Sequence, residues 1–124
     1  MIAVDTSSMI AFFRGDEGTD VARVAEALSK TEVCLPPLVV SELLSHPRIN
    51  REIRDIVLEM PQLSIGDGYW ERTGATRMTV MSKGRRAALA DSLICQSCLD
   101  HDVPLITRDD DFKVFANACG LRLA

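Results

Sequence analysis

The chain has no apolar run approaching the roughly 18 residues that a membrane-spanning helix needs, so no span is expected. It has no basic segment followed by a long apolar stretch near Met1. Ile2-Ala3-Val4 follow at once, so no secretory leader is expected and a cytoplasmic location is the default. It has no excess of positive charge. A net charge of −4 counts against a protein that grips nucleic acid by general charge, but not against an enzyme whose acids gather in a metal site. Histidine is scarce. His46 precedes a proline and His101 ends an expected helix, and neither stands in a catalytic or zinc pattern. Of the four cysteines only Cys95 and Cys98 form a CxxC, inside an expected helix and without a second pair. They read as small buried residues of a reduced protein rather than a zinc or redox site. Aromatics are few, and the adjoining Tyr69 and Trp70 at a helix start read as core rather than as a stacking platform for bases. No repeat, linker or low-complexity tract appears. One domain over residues 1–124 is expected, long enough to bury a core.

What the chain does have is short apolar strands alternating with helices. Met1–Val4, Val33–Leu35, Leu63–Ile65, Val103–Ile106 and Leu121–Leu123 read as strands. Asp5-Thr6-Ser7-Ser8 offers side chains suited to an N-cap, and Met9, Ile10, Phe12 and Phe13 make the following helix apolar until Arg14-Gly15-Asp16. Further helices are expected over about 19–29, after Pro36-Pro37, over 48–59, over 69–81, around Asp91 and over 110–118. The pattern is α/β, with a mostly parallel central sheet of about five short strands flanked by helices.

Four acids stand at particular places in this pattern. Asp5 follows the first strand, and Asp109 follows Val103–Ile106 by way of Thr107 and Arg108. Glu42 and Asp91 each lie on the apolar stripe of a helix. Sites in open α/β sheets form at the carboxyl ends of strands, so these four segments converge there in principle. Each acid alone is explained as a cap or a solvated turn; the set is harder to dismiss. Two carboxylates about 4 Å apart repel by about 4 kcal/mol at an effective dielectric near 20. Oxygen-only donors without a lysine or arginine among them suit Mg²⁺ or Mn²⁺, which in turn suits phosphodiester hydrolysis.

The stretches VDTSSMIAFFRGD at 4–16, LPPLVVSELL at 35–44 and ADSLICQSCLDHDVPLITRDDDF at 90–112 resemble, in order and spacing, the PIN-domain ribonucleases, and among them the VapC-type toxins of toxin–antitoxin pairs. The resemblance covers nearly the whole chain. It implies a PIN-like domain, Mg²⁺- or Mn²⁺-dependent cleavage of RNA, a homodimer and a small antitoxin partner. Carried over residue by residue, Asp5, Glu42, Asp91 and Asp109 match the family's catalytic and metal-binding acids. Ser7 matches its hydroxyl position, and Asp111 is an outer acid. Ser92, Cys95 and Cys98 stand where the family often has alanine; all are small enough to pack.

An RNA substrate asks for cations near the acids. Arg72, Arg77, Lys83, Arg85 and Arg86 precede Asp91 with no acid between Arg72 and Ala90. Lys83, Arg85 and Arg86 are therefore expected to contact RNA, and Arg14 to meet either a phosphate or an acidic side chain of the antitoxin. Met78, Val80 and Met81 are expected at a dimer interface. Two other functions compete: a non-catalytic PIN-like module that binds RNA or protein, and another acid-pocket α/β phosphate enzyme. For the latter, Asp5-Thr6-Ser7 lacks the second Asp of a haloacid-dehalogenase-type phosphatase, and Thr107 is followed by arginine where a phosphoacceptor receiver would place lysine.

Overall fold

Ile2–Val4 (β1) lies between Val33–Cys34 (β2) and Leu105–Ile106 (β3) in a parallel sheet of order β2-β1-β3. The structure, a computed structural model, describes residues 1–124. Ile2 and Ala3 pair with Val33 and Cys34 on one side, and Ala3 and Val4 with Leu105 and Ile106 on the other. Ala3, Val4, Leu105 and Ile106 are fully buried, as near-continuous apolar strands of a two-sided sheet should be.

The helices are Thr6–Arg14 (α1), Thr19–Ser29 (α2), Pro37–Leu44 (α3), Arg51–Glu59 (α4), Tyr69–Ser82 (α5), Leu89–His101 (α6) and Lys113–Cys119 (α7). A single 3₁₀ turn over Asp110–Phe112 leads into α7. Pro37 sits in the first turn of α3, where its missing N–H has no partner to lose. α4 starts later than the amphipathic pattern implies, because the Asn50 side chain caps it by accepting from the Ile53 N–H at 2.8 Å. The buried apolar side chains form one continuous cluster that includes Met9, Val24, Leu43, Val57, Val80, Ile94 and Phe115.

Three strands form where about five were expected. Leu63–Ile65 and Leu121–Leu123 are not strands; their segments touch the sheet through single parallel bridges, Leu35 to Gln62 and Leu105 to Leu123. Leu35 donates to the Pro61 carbonyl and accepts from Leu63, but Pro36 has no N–H to carry that ladder further. At the other edge the Val103 N–H is taken by Cys98 at the end of α6, and Gly120 turns away in a left-handed conformation (φ 76°).

The strand order brings the acid-bearing segments together. β1 and β3 are neighbours, so the residues after Val4 and after Ile106 emerge side by side; Asp5 N–H donates to the Ile106 carbonyl at 2.9 Å. α6 precedes β3 and runs back across the sheet, so its first turn, with Asp91, lies at the same carboxyl edge.

Candidate active site

Asp5 leaves β1 with 4% exposure and is held by two hydroxyls. Ser7 donates to its Oδ2 at 2.8 Å and Thr107 at 2.9 Å. Burial pushes this carboxyl upward in pKa, against the pull of the hydroxyls. The residues expected to cap α1 do other work. The N-cap is Asp5, without a side-chain capping bond, and Thr6, Ser7 and Ser8 lie inside the helix. Thr6 Oγ1 donates to Glu42 Oε1 at 2.6 Å, across from α1 to α3.

Asp91 is half-buried in the first turn of α6 and caps nothing; the N-cap position is Ala88. Its pKa is pushed up to about 6, first by burial and then by the charges of Asp109, Asp5, Asp111 and Glu42. All four of those carboxylates thus act on Asp91. Asp109 does cap: its Oδ1 accepts from the Asp111 N–H at 2.9 Å, while its own N–H donates to Thr107 Oγ1 at 3.0 Å. One carboxylate oxygen from each of Asp91, Asp109 and Asp111 lies within 4.8 Å of the others. The tightest group is therefore this trio. Asp5, tied to two hydroxyls, and Glu42, tied to one, lie outside this trio, and Asp111, expected as an outer acid, is in the trio itself.

A divalent cation fits these residues. None of Asp5, Glu42, Asp91, Asp109 or Asp111 takes part in an ion pair. Arg108, next to Asp109, is turned to Asp20 instead, with Nε at 2.9 Å from Oδ2. Facing carboxylates with no protein cation are the donor set that Mg²⁺ or Mn²⁺ prefers.

Asp91 and Asp111 open onto a cleft of about 830 Å³ whose lining also includes Arg77, Arg85, Arg86 and Asp110. Arg85 and Arg86 make no ion pair, and Arg77 Nε donates to the Ala87 carbonyl at 2.8 Å. Lys83 lies one hollow further on, with Arg85 and Asn117. Arg72 is not part of this track: it is bound to Asp100 through Nε at 2.9 Å and Nη2 at 2.6 Å. Nor is Arg14, which lines a separate apolar cleft with Ile10, Phe13, Leu43, Ile49 and Ile53. Tyr69 is core, its hydroxyl donating to the Leu93 carbonyl at 2.6 Å, but Trp70 is 61% exposed. Cys34, Cys95 and Cys98 are buried free thiols, and burial pushes Cys95 up to about 12, far from a reactive thiolate.

The sequence pattern did not reveal Thr6 and Thr107 as the residues that hold Glu42 and Asp5. Thr107 stands directly after the strand that ends at Ile106, and Thr6 directly after Asp5, where helix capping was the competing reading.

A family model described as PIN domain matches residues 2–118. Ribonuclease VapC11 of Mycobacterium tuberculosis is 26% identical over 136 aligned positions, covering 100% of this chain and 98% of that protein. VapBC2 from Rickettsia felis, solved bound to a DNA fragment from its promoter, is similar in structure with a TM-score of 0.75 at 20% identity, covering 100% of this chain and 98% of that one. FitAcB from Neisseria gonorrhoeae gives a TM-score of 0.71 at 20% identity, covering 99% and 96%. With the match running from the first strand into the last helix, the chain belongs to the PIN domain family.

Proposed function

We propose that this protein is a metal-dependent endoribonuclease, the toxin of a VapBC-type toxin–antitoxin pair. The observation that carries the reading is the meeting of unpaired carboxylates from separate segments, two of which, Asp91 and Asp111, line a cleft with Arg77, Arg85 and Arg86. The names of its relatives, VapC ribonucleases, point the same way.

Asp91, Asp109 and Asp111 would hold Mg²⁺ or Mn²⁺, with Asp5 and Glu42 completing the acidic surround. When bound, such an ion polarises a phosphoryl oxygen and lowers the pKa of a coordinated water. The chain's own part is to hold these donors in place. Ser7 and Thr107 fix the position of Asp5, and Thr6 fixes Glu42. Arg85 and Arg86 would bind backbone phosphates in the cleft, and Lys83 would extend that contact.

The apolar cleft between α1, α3 and α4 is the surface we assign to the antitoxin. Its floor is Ile10, Phe13, Leu43, Ile49 and Ile53, and Arg14 and Arg48 at its rim suit an acidic side chain. No helix is long and apolar enough to cross a membrane.

The decisive experiment is cleavage of total RNA by wild type and Asp91→Asn, with and without chelator. Cutting is expected only for wild type with metal. Cutting by Asp91→Asn at the wild-type rate, or cutting that survives chelator, would end the metal-nuclease reading.

A further inference from the structure

Arg108 stands between two residues of the acidic centre, Thr107 and Asp109, yet its guanidinium faces the opposite way. Nε donates to Asp20 Oδ2 at 2.9 Å, and Nη2 donates to Asp20 Oδ1 and to the Glu17 carbonyl, each at 3.1 Å. Nη1 is 3.9 Å from Asp16 Oδ2. Asp20 is itself held from below: Ser8, fully buried, donates to its Oδ2 at 2.8 Å. The neighbouring Ser7 serves Asp5, so one turn of α1 braces both the acidic centre and the residue that receives Arg108.

The receiving site is also shaped. Gly18, just before α2, has φ 151°, and a Cβ there would sit 2.5 Å from Asp20 Oδ1 and 3.0 Å from Arg108 Nη2. Glycine leaves the room that this bidentate pair occupies.

A guanidinium one residue from Asp109 is a natural partner for the acids, since arginine binds carboxylates in the same paired geometry. If it turned to them, it would neutralise charge that a divalent cation requires and would occupy its oxygens. We propose that Asp20 is a positioning residue of the acidic centre: by holding Arg108 against α2 it keeps that cation off the carboxylates and leaves them free for a divalent metal. The Arg108 guanidinium keeps the Asp20 carboxyl down at about 2, so the pair stays charged throughout the neutral range. The inference rests on the metal-nuclease reading.

The test is calorimetric titration of Mn²⁺ into the purified protein, with metal-free melting as a check on folding. Asp20→Asn keeps the shape and one acceptor oxygen for Ser8 but releases the charge of Arg108. It is expected to weaken Mn²⁺ binding by about tenfold, the lower end of what partners of metal ligands contribute. Arg108→Gln added to Asp20→Asn is expected to restore affinity to within about threefold of wild type, because no guanidinium remains to compete. A pair that merely ties down a loop would give a double variant at least as weak as the single one. Should Asp20→Asn fail to fold, Gly18→Ala, which crowds the guanidinium without removing its partner, is expected to weaken binding and to be rescued by the same Arg108→Gln change. Wild-type affinity in Asp20→Asn, or in Gly18→Ala where that variant is used, overturns the inference, as does absence of rescue. If wild type itself takes up no Mn²⁺, the metal reading fails and this inference falls with it. The wild-type titration thus separates the two failures.

Discussion

Three consecutive hydroxyls, Thr6, Ser7 and Ser8, each donate to a different carboxylate: Glu42, Asp5 and Asp20. A hydrogen bond to an ionised acid favours its charged form, so Ser7 draws the Asp5 carboxyl down against burial, which still leaves it raised. At Asp91 burial first, and then the neighbouring acids, raise the pKa to about 6. The linkage has a definite sign. A carboxyl raised in the folded state from the ordinary 3.8 stabilises the fold fully below that value, and the contribution is lost as pH rises through about 6. Metal-free wild type and Asp91→Asn should therefore melt alike near pH 4. A gap in favour of the variant should open up to about pH 6 and then level off. Because Asp91 is only half-buried, solvent screening cuts the gap to about 1 kcal/mol, or about 4 °C. Melting curves in chelator across this range check it. A variant that melts below wild type at every pH would make Asp91 a structural residue.

Among the elements, the loop between α5 and α6 carries the substrate-facing charge. Arg85 and Arg86 line the acid-bearing cleft, and Arg77 beside them is tethered to the Ala87 carbonyl. Two phosphate contacts contribute about one unit each to the slope of log affinity against log salt. Changing Arg85 and Arg86 together to Ala should flatten that slope by about 1–2 while leaving the melting temperature unchanged, because neither makes an ion pair or a structural hydrogen bond. Filter binding of RNA at several salt concentrations measures it. An unchanged slope would assign both arginines to a solvated loop.

For the molecule as a whole, α5 leaves Trp70, Met78 and Met81 at 61%, 67% and 45% exposure, and Leu89 at the start of α6 at 56%. Large apolar side chains exposed together are what a second subunit covers. Val80, expected at the same surface, is fully buried and belongs to the core. A homodimer at twice the 13.7 kDa of one chain is the expected result of light scattering at micromolar concentration, and Met78→Asp with Met81→Asp should yield monomer. A wild-type monomer would refute this. Mn²⁺ should also stabilise the whole fold, by about 2.7 kcal/mol at a hundredfold excess over its dissociation constant, and Asp91→Asn should gain much less. Melting with and without the ion reads this directly.

The alternation of helix and strand was legible in the chain, because apolar periodicity and proline position are local properties. Pro37 opening α3, α2 over Thr19–Ser29 and the buried run ending at Ile106 were all readable. The sequence also pointed out Asp5, Glu42, Asp91 and Asp109 as acids at strand ends and on apolar helix faces. What it could not contain is which strands are neighbours. The order β2-β1-β3 places Thr107 against Asp5 and lets Ser7 and Thr107 share one carboxylate, a pairing of residues one hundred positions apart. Whether a charge is free or taken is equally a tertiary matter. Arg72 and Arg86 look alike in the chain, but Asp100 binds the first and nothing binds the second. Arg108, adjoining an acid of the site, is turned to Asp20 on α2. Local patterns set where side chains point along an element. Only packing of elements sets what they point at, because that is decided by contacts between segments far apart in the chain.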